Sequence, residues 1–386
     1  MFPAMNALSC MVHRTGQALL VAIALSATSA WSQAAKTPPP GSKVPEVLAI
    51  TDALVKAAQK EGRVYIRYSA PQASTEAMFG VFKRKYGIDV VTERKVAAEG
   101  TNTFLTEERA GRHIVDVHIN TDRRGALALA KDGFYAPYRV SNDAQYDVLA
   151  KFQNFAIAPY LTTSVLAYNT DRLSSKDAEA LFSGTWTGLL DRRFRNKHIG
   201  ILSPFITSAS SLWFWGLMEH PKYGESFLRA VAAMDPVIYP DQAVGEEALH
   251  AGEVDVLVGE VIEPAQMALI RGAPIAWVYP DLLPAVPAVY HFLSSKAPHP
   301  NAARLLLAWI LSEDGARAIS LEGEREPVIK AKIPRNPKVQ AALDKAKWFK
   351  PFPDKVRFAP VVEEMIDRED GYRKQMAAMF NISVRR

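Results

Sequence analysis

Two stretches of the chain place hydroxyl groups where a strand hands over to a helix. They are Ser69-Ala70-Pro71-Gln72 and Ser203-Pro204-Phe205-Ile206-Thr207-Ser208-Ala209-Ser210. The first turn of a helix carries free backbone N–H groups and the positive end of the helix dipole, so both junctions favour an anion or a polar oxygen. Ser69, Thr207 and Ser208 can equally cap the helices they open, and one hydroxyl can do both. Asn120-Thr121-Asp122 follows another strand and faces the same choice, ligand contact or an N-cap for the Arg123 helix. Glu260 and Glu263 stand beyond a late strand. Glu263 suits an amine, a hydroxyl or a hard cation, or is an exposed charge opening the next helix. Tyr168 and Tyr290 lie on extended stretches, from which a phenol reaches a ligand at a hinge or packs into a core.

Other chemistry finds less support. Trp213-Phe214-Trp215 alternates faces on a helix, which favours core packing over a stacking platform. His113 and His118 fall on opposite faces of a strand, so they do not share a metal. Neither a Gly-x-Ser-x-Gly elbow nor a His-Glu-x-x-His helix occurs. The candidate ligand-binding set is therefore Ser69, Gln72, Thr121, Asp122, Tyr168, Thr207, Ser208, Glu263 and Tyr290. No catalytic residue, metal ligand or cofactor is expected.

The 386 residues are 48% hydrophobic and 23% charged, the balance of a folded chain rather than a disordered one. The net charge of +5 arises from 46 basic and 41 acidic residues mixed along the sequence. A nucleic-acid binder more often concentrates its basic residues on one face or tail. Cys10 is the only cysteine, which excludes disulfide frameworks, thiolate zinc sites and iron–sulfur clusters.

The run from Gly16 to Ala30 is apolar and uncharged, follows Arg14, and precedes Ser32-Gln33-Ala34. It is short for a membrane span, and small residues occupy the positions a signal peptidase reads. Residues 1–34 are expected to be a cleaved secretory signal and 35–46 a linker. Removal of the signal takes away Cys10 and Arg14, leaving a cysteine-free chain near +4, as suits the oxidising periplasm.

The positioning elements follow from periodicity. Strand-like Val64–Tyr68, Ile88–Val91 and Ile114–Ile119 alternate with helical Gln72–Tyr86, Thr103–Ala110 and Arg123–Lys131. A β-rich stretch, 156–168, interrupts the alternation. It resumes with strands His198–Leu202, Pro236–Tyr239 and Val254–Val258 and their helices, then breaks again over 275–294. This predicts two α/β lobes with largely parallel sheets and a chain that crosses between them twice. The expected boundaries are 47–155 plus 291–386 for one lobe and 156–290 for the other. The ligand would lie in the crevice beyond the strand ends.

Several segments resemble the periplasmic solute-binding proteins of ABC importers, closest to the ferric-iron-like branch with the type II binding-protein fold. They include Leu54-Val55-Lys56-Ala57-Ala58, Phe82-Lys83-Arg84-Lys85-Tyr86-Gly87-Ile88-Asp89-Val90 and Ala167-Tyr168-Asn169-Thr170-Asp171. Trp186-Thr187-Gly188-Leu189-Leu190-Asp191, Gly252-Glu253-Val254-Asp255-Val256 and Trp309-Ile310-Leu311-Ser312-Glu313-Asp314-Gly315-Ala316 continue the match in order, which covers roughly Val47 to Val328. The resemblance implies a periplasmic monomer that takes up a small solute and delivers it to an inner-membrane ABC permease, without turnover and without nucleic acid. It also admits a ferric-iron cargo, or a sensor that reports ligand to a membrane receptor. Iron-binding members use adjacent tyrosines after the late strand, but the matching positions here are Ile262 and Glu263, and no Tyr-Tyr pair occurs. Thiaminase-like enzymes of similar fold depend on a cysteine that the mature chain lacks. The cargo expected is a small organic anion with a second polar group.

Overall fold

The computed structural model describes residues 44–382, apart from 71, 161, 204–207, 281, 284, 287–288, 351–356 and 359–367. The signal and linker calls at residues 1–43 lie outside the described residues.

Local signals place the helices. Thr51 caps the helix Asp52–Glu61 by accepting from the Leu54 N–H, and Gly62 ends it in the left-handed conformation. Asp241 caps Gln242–Ala251, which Gly252 closes in the same way. The expected helices Gln72–Tyr86 and Arg123–Lys131 form over those residues. The one expected at Thr103 begins at Ala97.

The helices flank two mixed sheets. In spatial order the first holds Asp89–Arg94, Arg63–Tyr68, Val117–Asn120, Tyr290–Ser294, Ala156–Ile157 and Lys151–Phe152. The second holds Val237–Tyr239, Ile199–Leu202, Val256–Val261, Thr162–Asn169 and Ile275–Val278. Each contains one parallel trio: Asp89, Arg63 and Val117 strands in the first, Val237, Ile199 and Val256 strands in the second. Thr162–Asn169 and Tyr290–Ser294, which follow the crossings, run antiparallel to these trios, whereas Ala156–Ile157 and Ile275–Val278, which precede them, run in the same sense as the trios. This departs from the expected parallel pattern because a strand entering from the other sheet starts at the edge where the parallel strands end and runs away from it.

The expected lobe boundaries need correction at both ends. Ala156 and Ile157 pair within the first sheet, as does Tyr290, opposite Asn120. Helix Pro337–Lys345 packs against Ile262–Ile270, and Glu369–Met379 against Ser208–Met218 and Gly224–Ala232. Those partners belong to the second sheet, so residues after 291 do not all go with the first. Apolar faces decide this: Val339 and Leu343 join the core containing Ala265 and Ala268, and Phe380 stands edge-on to Trp213 and Phe214 with ring centroids 6.3 Å apart. Among the described residues no helix is long and apolar enough to cross a membrane.

Candidate functional site

Strand polarity gathers the candidate residues. The parallel strands of the first sheet end at Tyr68, Arg94 and Asn120, and those of the second at Leu202, Tyr239 and Val261. Parallel strands present the helix N-termini that follow them on one edge. One arginine links the two edges. Arg325 Nη2 donates to Ser74 Oγ (2.8 Å) in the first turn of the Gln72 helix. Its guanidinium lies 4.5 Å over the ring of Tyr160, at the first crossing, and its charge acts on Glu263 at the start of the Ile262 helix. His291, on the second crossing strand, completes the group with its ring edge-on to Tyr160 at 6.2 Å.

Several buried polar atoms here lack hydrogen-bond partners among the described residues: Ser69 Oγ, Glu260 Oε2, Glu263 Oε2 and His291 Nε2. Buried polar atoms are nearly always paired in a folded protein, so these four are open to a ligand or ordered water. The bulge at Gly259 shapes this edge. Its φ of +87°, which favours glycine, coincides with the register shift that places Glu260 opposite Val165. Trp213 Nε1 lies 3.3 Å from where a Cβ on Gly259 would stand.

Electrostatics divide the labour. His291 Nδ1 is 3.2 Å from the Val289 carbonyl oxygen, a geometry in which the ring donates. Burial, with Arg325 as the lesser cause, pushes its pKa down to about 3. The ring is therefore neutral, and Nε2 is an acceptor. Burial lifts the Glu263 carboxyl to about 7, while Arg325 pulls it back and Glu326 adds to the rise. Burial, then Glu246, holds Glu260 well above the carboxylate range, so it is a neutral acid whose Oε1 accepts from Val261 N–H (2.9 Å). Burial raises the Tyr160 phenol, against the pull of Arg325, so it stays protonated rather than forming a phenolate. The group thus offers one fixed cation, a helix N-terminus, a neutral acceptor and a carboxyl near its midpoint. It can bind an anionic group and a neighbouring hydroxyl or amine.

Glu263 makes stability depend on pH. Its pKa is higher in the folded chain than its usual 4.5, so the fold favours the protonated form. That contribution is intact below about pH 4.5 and is lost as pH rises through about 7. Glu263→Gln is expected to melt progressively higher than the parent between pH 5 and pH 8. Equal differences at both ends of a melting series across that range (roughly three pH units) would contradict the assignment.

Of the candidates read from the sequence, Glu263 joins the Arg325 group, and Ser69 stands at the same edge with an unpartnered hydroxyl. Gln72 is exposed and donates to Glu76 Oε1 in its own helix (2.8 Å). Asp122 caps the Arg123 helix by accepting from Gly125 N–H (3.0 Å), and Thr121 beside it is half-buried. Thr207 and the side chain of Ser208 lie outside the described residues.

Tyr168 is a correction. It pairs with Val256, at the far end of that strand, whereas Ser164 pairs with Val261. Four residues of strand put it about 13 Å from the edge where the parallel strands end, buried beside the Ser175–Phe182 helix. Tyr290 is a second correction. It is buried with Phe152 and Phe292, and the Arg123 guanidinium lies 5.7 Å from its ring. Trp213, Phe214 and Trp215 are core residues, as their spacing suggested. His118 bonds Tyr135 Oη (2.6 Å) and His113 pairs with Glu108, so they share no ligand.

Sequence reasoning missed Arg325, Tyr160, His291 and Ser74. Arg325 sits in Gly323-Glu324-Arg325-Glu326, which reads as a solvated charge cluster. A charge run whose arginine is nonetheless buried has no sequence signature. Among the described residues no group of three or more His, Cys, Asp or Glu side chains is arranged to hold a metal ion.

Compared by sequence, the chain matches no protein-family model and no curated protein. Compared by structure, it resembles iron-bound HitA from Pseudomonas aeruginosa at 19% identity and TM-score 0.63, covering 81% of this chain and 99% of that one. It resembles the substrate-binding protein of an ABC transporter from Agrobacterium tumefaciens at 15% identity and TM-score 0.65, covering 82% and 94%. The periplasmic binding protein AfuA from Actinobacillus pleuropneumoniae, with fructose-6-phosphate bound, is similar at 16% identity and TM-score 0.63, covering 84% and 100%. These likenesses show the fold, which is that of the type II periplasmic binding proteins.

Proposed function

We propose that this chain is an exported solute-binding protein that closes on one small organic anion between two lobes and hands it unchanged to an ABC permease. The observation that carries the reading is Arg325, which contacts the helix opening of the first sheet while its charge acts on Glu263 of the second. A solute anion on Arg325, with a hydroxyl or amine on Glu263 and His291, would touch both halves. Burying it between them ties affinity to closure. HitA is an iron-bound protein and AfuA holds a sugar phosphate, so the fold accommodates both kinds of cargo. The anion is favoured here because the tyrosine pair is missing and the Tyr160 phenol is held protonated. Export would release the chain as a periplasmic monomer cut after Ala34, which N-terminal sequencing of the secreted protein would show by a start at Ala35.

Thermal-shift screening should compare fructose-6-phosphate, other sugar phosphates, citrate and ferric citrate, followed by X-ray scattering with the best stabiliser. A solute at 100 times its dissociation constant stabilises a fold by about 2.7 kcal/mol. The expected result is a melting shift with an organic anion, a smaller radius of gyration, and solute recovered intact. Stabilisation by ferric iron alone, an unchanged radius, or a converted product would overturn the reading.

A further inference from the structure

The second sheet carries another cavity, on the far side of Tyr168 from the Arg325 group. It measures about 350 Å³, between the helix Ser175–Phe182, the strand Ile275–Val278 and the segment Lys347–Lys350. That volume is at the lower end of small-molecule sites. Its floor is aromatic: Tyr168, Trp277 and Tyr279 line it, and Trp348 stands edge-on to Trp277 with ring centroids 4.7 Å apart. Its rim is basic. Lys350 pairs with Glu179 across the mouth, joining the helix to the later segment. Lys176 and Lys347 also line the cavity, are exposed, and have no carboxylate partner among the described residues.

We propose that this cavity is a second binding site, for a small aromatic carboxylate, independent of the site between the lobes. The flat apolar body would lie against Trp277 and Trp348, where burial of aromatic surface supplies the attraction. The carboxylate would stand between Lys176 and Lys347. Tyr279 lines the cavity with its Oη accepting from Trp277 Nε1 (3.0 Å), which fixes the ring beside Trp277. Burial pushes that phenol up to about 12, so it keeps its proton at neutral pH. Such a ligand would bridge the Ser175 helix to the Lys347–Lys350 segment and hold that segment on the second sheet.

Calorimetric titration of the exported chain with indole-3-acetate tests this, with neutral indole-3-acetamide as the comparison. The acid should bind, and the amide about tenfold more weakly. The double variant Lys176→Glu/Lys347→Glu should lose about tenfold or more for the acid while its response to fructose-6-phosphate stays that of the parent. Ser183→Trp, on the exposed rim, should block the cavity. Arg325→Ala should leave indole-3-acetate binding unaltered, which separates this site from the one between the lobes. No binding of the acid up to about 1 mM, equal binding by the lysine variant, or loss of binding in Arg325→Ala would each overturn the proposal.

Discussion

Replacing Arg325 with alanine is expected to lower the affinity for an anionic solute about a hundredfold. Hydrogen bonds to a charged partner contribute roughly 1.5–3 kcal/mol each, and a guanidinium can give two to one phosphate or carboxylate. Among the described residues Arg325 is the cation that acts on Glu263, so its loss should raise the Glu263 carboxyl further. The affinity that remains should therefore show a pH dependence displaced to higher pH, which loss of packing over Tyr160 would not produce. Arg325→Lys keeps the charge without the planar fork and should fall between, about tenfold below the parent. Titration with fructose-6-phosphate at several pH values reads both effects. Unchanged affinity in the alanine variant, with its fold intact by circular dichroism, would remove Arg325 from the site.

Asp116→Ala is expected to be the most damaging single change to stability. Asp116 is fully buried, and its Oδ2 accepts from the Tyr65 N–H (2.7 Å) and lies 2.9 Å from His299 Nδ1. Its Oδ1 accepts from the His299 N–H (2.7 Å), immediately before the helix Pro300–Ile310. One carboxylate thus joins the strand Arg63–Tyr68, the entry to Val117–Asn120 and the start of a helix from the far end of the chain. Truncation leaves three polar groups without their partner. Removing one member of a buried charged network costs about 3–5 kcal/mol, or roughly 5 °C in melting temperature for a chain of this size. Asp116→Asn retains one acceptor but turns an amide toward the Tyr65 N–H, so it should lose less. A denaturant series placing the alanine variant within about 1 kcal/mol of the parent would refute this account.

Local chemistry made much of the scaffold legible. Gly62, Gly87, Gly111 and Gly133, each in the left-handed region, end their elements where the sequence places a stop. The helices Gln72–Tyr86 and Arg123–Lys131 have apolar stripes clear enough to set both ends. The two interruptions of the α/β alternation marked the crossings, because each mixes β-branched residues with prolines or turns and lacks helical spacing. Such features depend on residues within one turn or one strand of each other.

The site needed distances the sequence does not contain. Ser74 and Arg325 are 251 residues apart and hydrogen-bonded, while Tyr168 and Ser164, four apart, fall at opposite ends of a strand. The sequence singled out the phenols of Tyr168 and Tyr290, yet sheet register sent both into cores, and the phenol under Arg325 is that of Tyr160. The sequence by itself determined the alternation of elements, the helix ends, the absence of a tyrosine pair and the acidic residue at 263. Only the tertiary structure decided which charges meet, because pairing across the lobes is set by strand order and by where each strand stops. Burial then converted ordinary side chains into a neutral histidine, a carboxyl near 7 and a fixed cation facing one another.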